Sequence, residues 1–559
     1  MDAKYYVHIK LMERSGIMRI GGIASGMDTE QMVRDLMRAE RVRMDRFFQQ
    51  EQRLKWRQEA YNGINRSMAN FIVDSRKSFG LARTTATGSM INTSASSFDW
   101  VKRATSSNEG VVRATANANA MAGTHTVKVE QLAEVASVTS GDLKGLLEAD
   151  GRTFKAGSHE FTIATATGHQ TFKIGNEDDA IKNMDDLVRA INSATSEEGA
   201  SLGLRSAYDR DLGQLMINTR ETGKEQFITI KDVSKIEGVS PWITFTTKSN
   251  EPVDEGVEIK GQDAEITFNG SVIEKSTNNF SVYGINLQLQ SEQVAEAQPI
   301  TIRVDADVDS IFDKVKSFVD EYNKLLDEIN GQLGQKHYRD FSPLTNEQKE
   351  AMSEKDIELW EEKAKSGLIR NDSILTRTLQ TIRSSLYEKV EGVSGSYDHI
   401  TQLGITTGTY QEGGKLVINE EKLRAAINDD PEGVIDLMFK SPDSSLTGKE
   451  KMENTGLVQR IYDGMIDGIK EIVHQSGPGE DSALLRNVRS NILIDFVTGG
   501  SRSVLDKDLN SINTRMAREE DLLRRREDRY WQQFTAMEKA LASMHQQSSW
   551  LMSQMGQQF

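Results

Sequence analysis

The last fifty residues constrain the fold of this chain more than any other stretch. Apolar residues recur there at alternating four- and three-residue steps: Leu505, Leu509, Ile512, Met516, then after Glu519 Leu523, and after Arg526 Tyr530. The stripe continues through Phe534, Met537, Leu541, Met544, Ser548, Leu551 and Met555. The extra four-residue step from Tyr530 to Phe534 is a stutter in a heptad pattern. No Pro follows Pro478 and no Gly lies between Gly500 and Gly556. Nothing therefore interrupts a helix of about fifty residues, roughly 75 Å at 1.5 Å per residue. A helix of that length cannot bury its own stripe and needs a partner.

A partner is offered at the other end of the chain. From Val33 the same walk meets Met37, Glu40, Met44, Phe47, Glu51, Leu54, Gln58, Tyr61, Asn65, Met68, Ile72, Ser75 and Phe79. Asp28 or Thr29 supplies an N-cap and Gly80 a stop. Two arrangements satisfy such a pair. The helices can pack on the body between them as ordinary core, or form a coiled-coil stalk that serves assembly with other chains. The polar breaks at Glu40, Glu51, Glu519 and Arg526 favour the stalk, because an unpaired charge is costly in a dry core. The candidate assembly residues are Val33, Met37, Met44, Phe47 and Leu54 on the first helix. On the second they are Leu509, Ile512, Met516, Leu523, Tyr530, Phe534, Met537, Leu541, Met544 and Leu551.

The middle of the chain reads differently. Residues 84–124 are rich in Ser, Thr, Ala, Gly and Asn, as a linker or loosely packed strand region is. Residues 125–135 alternate apolar and polar, as a half-buried strand does. Four strands are expected within 157–231 (HEFTIATA, HQTFKIGN, QLMINTR, FITIKD), with the helix DDLVRAINSAT between the second and third. Further strands are expected over 258–304, with a hairpin turn at Asn269-Gly270. From Val308 a wide apolar helical face runs to a stop at Gly331. Helices are expected again over 345–366, with N-caps at Thr345 and Ser353, over 372–390 and over 419–440. The fold class is multidomain α+β: long helical coiled-coil termini and a helical domain, with β-rich domains inserted between its two halves.

Composition narrows the function. Residues 81–504 hold 45 Lys/Arg and 66 Asp/Glu, a balance of −21. An acidic body argues against nucleic acid as the main ligand, since phosphate binding needs a basic face. The 559 residues include no Cys, which removes disulfides, thiolate zinc sites and cysteine nucleophiles together. No run of eighteen apolar residues exists, so no membrane span is expected, and Met1 to Ile17 lack the core of a secretory signal. The eight His are scattered without metal-ligand spacing. Asp305, Asp307 and Asp309 open like a calcium loop, but Ser310 and Lys316 stand where the turn glycine and the bidentate Glu belong. Gly408 to Lys415 misses the spacing of a phosphate loop, and Leu416 replaces its Ser or Thr. With no acid–base, metal or nucleophile constellation, neither enzymatic activity nor a cofactor is expected.

Several motifs in order carry a family resemblance. Ile23-Ala-Ser-Gly-Met-Asp-Thr-Glu30 is followed by Leu36-Met-Arg-Ala-Glu40 and Trp56-Arg-Gln-Glu-Ala-Tyr61. Gly261-Gln-Asp-Ala264, Phe268-Asn-Gly270 and Phe318-Val-Asp-Glu-Tyr-Asn-Lys324 follow, then Tyr530-Trp-Gln-Gln-Phe-Thr-Ala-Met537 and Gln546-Gln-Ser-Ser549. The chain resembles the bacterial flagellar filament cap proteins, the flagellar hook-associated protein 2 family. Residues 343–369 resemble a helical segment that some members carry, and 157–231 the β repeat inserted in flagellins. The resemblance implies a capping protein that oligomerises at the filament tip, in a ring-shaped homo-oligomer (a pentamer by the family pattern), and promotes folding and polymerisation of exported flagellin. It implies an extracellular protein at the filament tip, exported through the flagellar secretion apparatus without a cleaved signal peptide. It also implies an export chaperone on the C-terminal helix, here on Phe534, Met537, Leu541, Met544 and Leu551. A hook–filament junction protein, or a tip adhesin binding host surface or mucin, are the alternatives.

The resemblance further divides the chain. Residues 18–55 and 505–559 become coiled-coil legs, 56–100 and 308–504 a helical core domain, 101–156 and 232–307 a β-rich head, and 157–231 an outer β domain. Family chains begin near the Ile-x-Ser-Gly-Met-Asp motif, so Met18 is the expected natural start and residues 1–17 an extension.

Overall fold

The computed structural model describes residues 28–85, 90–155, 157–175, 177–232, 244–409, 412–480, 482–488 and 502–555. The expected extension 1–17 and most of the Ile23–Glu30 motif lie outside the described residues. The chain divides into two units. One takes the chain up to Ser78, Lys316–Asn419 and the chain from Asp436; the other takes Phe79–Val315 and Glu420–Ile435. The first is helical apart from a ribbon of Ile405–Thr407 against Leu416–Ile418. The second is built mainly of strands. This is the α+β layout read from the sequence, with β modules nested between helical ends.

In the helical unit, the N-terminal helix spans Thr29–Phe79. Asp28 caps its start, accepting from the Gln31 N–H at 2.8 Å. Gly80, with φ of +81°, ends it in the left-handed region that glycine enters at no steric cost. The second half of this helix is the spine of the core. Phe71 packs its ring against Phe318 (5.4 Å between centroids), Tyr322 (6.2 Å) and Tyr462 (6.4 Å). Those residues come from the helices Val308–Gly334 and Leu457–Ser476. The former runs past the expected stop at Gly331 to Gly334, because one interior glycine costs only about 1 kcal/mol and Leu333 beyond it is half-buried.

The helix Leu457–Ser476 carries none of the sequence signals singled out above, yet twelve of its twenty residues are buried. It lies against Ser373–Leu386 at close range. A Cβ added at Gly464 would sit 2.5 Å from Ile382 Cγ1, and one at Gly468 2.6 Å from Thr378 Cγ2. Two glycines four residues apart share one helix face, so the missing side chains let the two backbones approach.

The β unit holds two cores. The inner core is bounded by a five-stranded antiparallel sheet, in spatial order Ser271–Lys275, Ala264–Phe268, Gly123–Gln131, Ile300–Ala306 and Lys102–Ser106. A three-stranded sheet of Asn279–Val282, Ile285–Leu289 and Val112–Ala116 completes it. The hairpin turn at Asn269-Gly270 has both residues at positive φ, +47° and +82°, as a type I′ turn requires. Within the region 258–304, where strands are expected, NFSVYGINLQLQ forms a second hairpin, broken at Tyr283-Gly284, also at positive φ. Three strands, Met90–Asn92, Lys102–Ser106 and Val112–Ala116, lie in the Ser/Thr/Ala-rich stretch after residue 84.

The outer core runs from Ala136 to Phe245 and includes Leu187, Leu215 and Ile228. One four-stranded sheet is Phe245–Thr247, Val135–Ser140, Gln214–Thr222 and Leu204–Asp209. The other is Ile259–Lys260, Phe227–Asp232, Ser158–Thr165 and Gly168–Gly175. The helix Met184–Asn192 buries Met184, Leu187 and Ile191 in this core. Asn183 caps it, accepting from the Asp186 N–H at 2.8 Å.

Candidate functional site

The two terminal helices meet within the helical unit. The C-terminal helix spans Val504–Met555 and runs antiparallel to Thr29–Phe79. Four polar contacts fix their register. Gln58 Nε2 donates to Asp506 Oδ1 at 3.0 Å. Arg43 Nε stands 3.4 Å from the carboxylate of Glu519, which is itself buried. Arg526 and the Tyr530 hydroxyl both donate to Glu40. Of the four polar breaks, Glu40 and Arg526 face one another as an ion pair and Glu519 pairs with Arg43 across the seam, while Glu51 pairs with Lys55 on its own helix. Each pairing removes the penalty of an isolated charge at a helix seam.

Apolar contacts fill the seam between these pairs. Val33, Met37 and Leu523 are buried, and Met44, Tyr530, Trp531 and Phe534 pack against them. Trp531 is not on the stripe read from the sequence; it joins because the stutter after Tyr530 rotates the next turn toward the partner. Leu505 is buried, and Phe47, Leu54, Leu509, Ile512, Met516, Met537 and Leu541 are half-buried. The Arg43 guanidinium lies 6.0 Å from the Phe47 ring centroid.

Beyond Leu541 the helix changes. Every residue from 542 to 553 is exposed, among them Met544, Trp550, Leu551 and Met552. The register explains this. Glu40 meets Arg526 and Tyr530, so Thr29 falls level with the turn between Met537 and Leu541. The C-terminal helix then runs past the described start of its partner. Phe534, Met537 and Leu541 therefore lie where the helices still face each other, while Met544 and Leu551 lie on the overhang.

A third element braces the pair. The helix Glu354–Lys365 and the loop before it pack on the N-terminal helix. Arg53 donates to Ser342 Oγ at 2.9 Å, Lys365 Nζ lies 5.1 Å from the Trp56 ring, and Trp360 Nε1 donates to Ser342 O at 2.8 Å. Thr345 forms a full capping box with Gln348, and Ser353 caps the next helix.

The residues weighed as ligands are engaged elsewhere. Asp305 pairs with Arg303 at 2.6 Å, Asp307 Oδ1 accepts from the Ser310 N–H, and Asp309 pairs with Arg424 at 2.6 Å. Gly408 and Lys415 flank a hairpin connection. Among the described residues, no group of three or more His, Asp or Glu side chains is placed to hold a metal ion. No helix of the described residues is long and apolar enough to cross a membrane.

Comparison with known proteins identifies the family. The sequence model described as flagellar hook-associated protein 2 C-terminus matches residues 261–546, and that of its N-terminus residues 25–136. Flagellar hook-associated protein 2 of Halalkalibacterium halodurans is 32% identical, covering 94% of this chain and 97% of its own. That of Thermotoga maritima is 22% identical over 98% and 97%. A crystal structure of the D1-D2-D3 domains of the flagellar cap protein FliD from Escherichia coli is 19% identical over 75% of this chain and 96% of that one, with a TM-score of 0.45. The chain belongs to the flagellar hook-associated protein 2 family.

Proposed function

We propose that the chain caps the flagellar filament: copies assemble as a ring at the tip, a pentamer by the family pattern, and help exported flagellin fold and polymerise. One observation carries the reading beyond family membership. The C-terminal helix ends in an exposed apolar stretch, Met544 to Met552, that its own chain leaves uncovered among the described residues. Exposed Trp, Leu and Met on one short segment mark an interaction site. On this reading the helix pair is the leg that enters the growing filament, and the β unit is the outer plate. Its inner core is the head and its outer core the outermost module. Before assembly an export chaperone covers Phe534, Met537, Leu541, Met544 and Leu551. The protein then leaves the cell unfolded, through the flagellar secretion apparatus and without a cleaved signal peptide.

The test is deletion of residues 530–559 in a strain that otherwise lacks the protein. Flagellin should escape as monomer into the medium and filaments should be absent by electron microscopy. Circular dichroism of the purified truncation should retain the strand signal. Filaments of ordinary length would refute the leg assignment.

A further inference from the structure

Two stretches of chain join the inner and outer β cores. Residues 132–134 lead out, between the strands Gly123–Gln131 and Val135–Ser140. Residues 261–263 lead back, between Ile259–Lys260 and Ala264–Phe268, and open the Gly261-Gln-Asp-Ala264 motif. The two crossings are tied to each other. The Glu134 N–H donates to Gln262 O at 2.8 Å and the Gln262 N–H to Glu134 O at 3.0 Å. The Gln262 side chain donates to Leu132 O at 3.3 Å, and the Gln131 side chain to Asp263 O at 2.8 Å. A single crossing swivels about its own φ and ψ. Two crossings paired in this way cannot turn independently, but a two-stranded ribbon still bends.

A third contact lies off the ribbon and opposes that bend. The turn at residues 222–226 closes the strand Gln214–Thr222 of the outer module and rests on the inner one. Thr222 Oγ1 donates to Ser276 O at 2.5 Å, beyond the end of the inner strand Ser271–Lys275. The Gly223 N–H donates to Glu134 O at 3.1 Å, and the Lys224 N–H to Asp263 Oδ1 at 2.8 Å. Lys224 Nζ also reaches Glu274 at 2.5 Å and Asp263 at 3.3 Å. Lys224 and Glu274 are more than half exposed, so their ion pair adds little; the backbone hydrogen bonds and the packing carry the contact. The packing is close. A Cβ added at Gly261 would lie 2.6 Å from Gly223 O and 2.7 Å from Glu134 O, and one at Gly223 2.8 Å from Ser276 Cβ. Both positions need glycine for the modules to meet, and Gly223 also stands at φ +115°.

We infer that the Gly261-Gln-Asp-Ala264 motif and the turn 222–226 fasten the two β modules into one rigid body with no hinge between them. Gly261 admits the turn and Asp263 is the positioning residue that holds it, through the N–H and the ammonium of Lys224. The outer module therefore stands in one fixed orientation on the inner module. The inference does not rest on the capping reading, since every contact it uses lies between the two β cores.

The experiment measures distances between pairs of spin labels by pulsed electron resonance, on the full chain diluted with unlabelled chain. The protein has no Cys, so labels go only where one is introduced. Thr115→Cys with Ala207→Cys places one label on an exposed strand position of each module. His169→Cys with Ala207→Cys keeps both within the outer module as a control. The first pair should give one narrow distance. Thr222→Val/Asp263→Ala removes two ties of the turn, and Gly261→Ala forces a Cβ against two backbone oxygens. Each should broaden that distance about two-fold or more, as a released hinge does, and leave the control pair unchanged. A broad or two-peaked distance in the unaltered joint would overturn the inference. So would a narrow distance that survives both variants. Broadening of the control pair as well would also overturn it, because the turn would then hold up the outer module's own fold rather than fasten it to its neighbour.

Discussion

Arg460 is buried to 3% exposure, and among the described residues no ion pair to a carboxylate is formed; Glu388 and Glu453 act on it only through space. Its guanidinium instead donates to six backbone carbonyls. Nη1 reaches Ser385 O and Glu388 O at 2.6 Å, Nη2 reaches Lys389 O and Glu453 O, and Nε reaches Thr455 O and Met452 O. These are the orphan acceptors where the helices Ser373–Leu386 and Gly448–Glu453 end, where the helix dipole also favours a cation. Burial pulls the guanidinium pKa down from its ordinary value, but Arg stays charged at any pH a protein meets. Arg460→Met takes the guanidinium away from all six carbonyls at once and leaves only Glu453 O and Met452 O with another donor, the N–H groups of Glu391 and Thr455. We expect a loss of about 3–5 kcal/mol, read from the urea midpoint, since each buried orphan costs about 1–3 kcal/mol before relaxation. Arg460→Lys keeps three donors and should lose less. Tyr61 makes a second residue-scale case. Its hydroxyl donates to Asp372 Oδ2 at 2.5 Å, while Asp372 also caps a helix through the Ile374 and Leu375 N–H groups. Burial, aided by Asp372, pushes the Tyr61 pKa up to about 12. A raised folded-state pKa gives stability that is fully present below the ordinary value of about 10 and is lost as pH rises through 12. Burial raises Tyr322 and Tyr462 as well. The helical unit should therefore lose stability between about pH 10 and 12, and Tyr61→Phe should show a shallower decline of urea midpoint with pH over that window. Parallel declines in the two proteins would refute this account.

At the scale of elements, legibility followed the strength of the periodic signal. Both long helices could be read because their stripes persist for seven turns and more and their caps are ordinary. Glu40, Glu519 and Arg526 could be marked as breaks, but which charge meets which was not legible, since antiparallel register depends on contacts between distant residues. The strands Lys102–Ser106 and Val112–Ala116 were hard to see because Ser, Thr and Ala dominate their stretch. The helix Leu457–Ser476 escaped because Gly464 and Gly468 weaken a helical reading locally, and only the partner helix shows why they are there. That contrast makes a prediction. Gly63 lies inside the N-terminal helix, and an added Cβ would meet nothing within 4 Å. Gly63→Ala should stabilise by about 1 kcal/mol through helix propensity alone. Gly464→Ala/Gly468→Ala gains the same term twice but forces contacts of 2.5 and 2.6 Å onto Ile382 and Thr378. Overpacking costs about 1–3 kcal/mol per site, so the double variant should be net destabilised. Thermal melts of both variants decide it; stabilisation of the double variant would mean that the helices can separate freely.

For the whole molecule, the distribution of order matters more than the total stability. The buried rings and Arg460 hold one end of the helical unit firmly, while the far end of the C-terminal helix meets no partner among the described residues. Residues 542 to 553 are all exposed, with Met544, Trp550, Leu551 and Met552 among them, and carry one described hydrogen bond of a side chain to the backbone, Ser553 to Trp550 O. A helix of that length is marginal in water unless packing supports it. Amide exchange on the free monomer should therefore show protection through residues 505–541 and a steep fall over 545–555. Assembly or a bound partner removes that difference by covering Met544, Trp550, Leu551 and Met552. The same exchange experiment on the assembled form should show protection extending to the end of the helix. Equal protection of both stretches in the free monomer would mean that the chain already covers its own overhang. The overhang would then not be held open for another molecule, and the capping reading would lose the observation on which it stands.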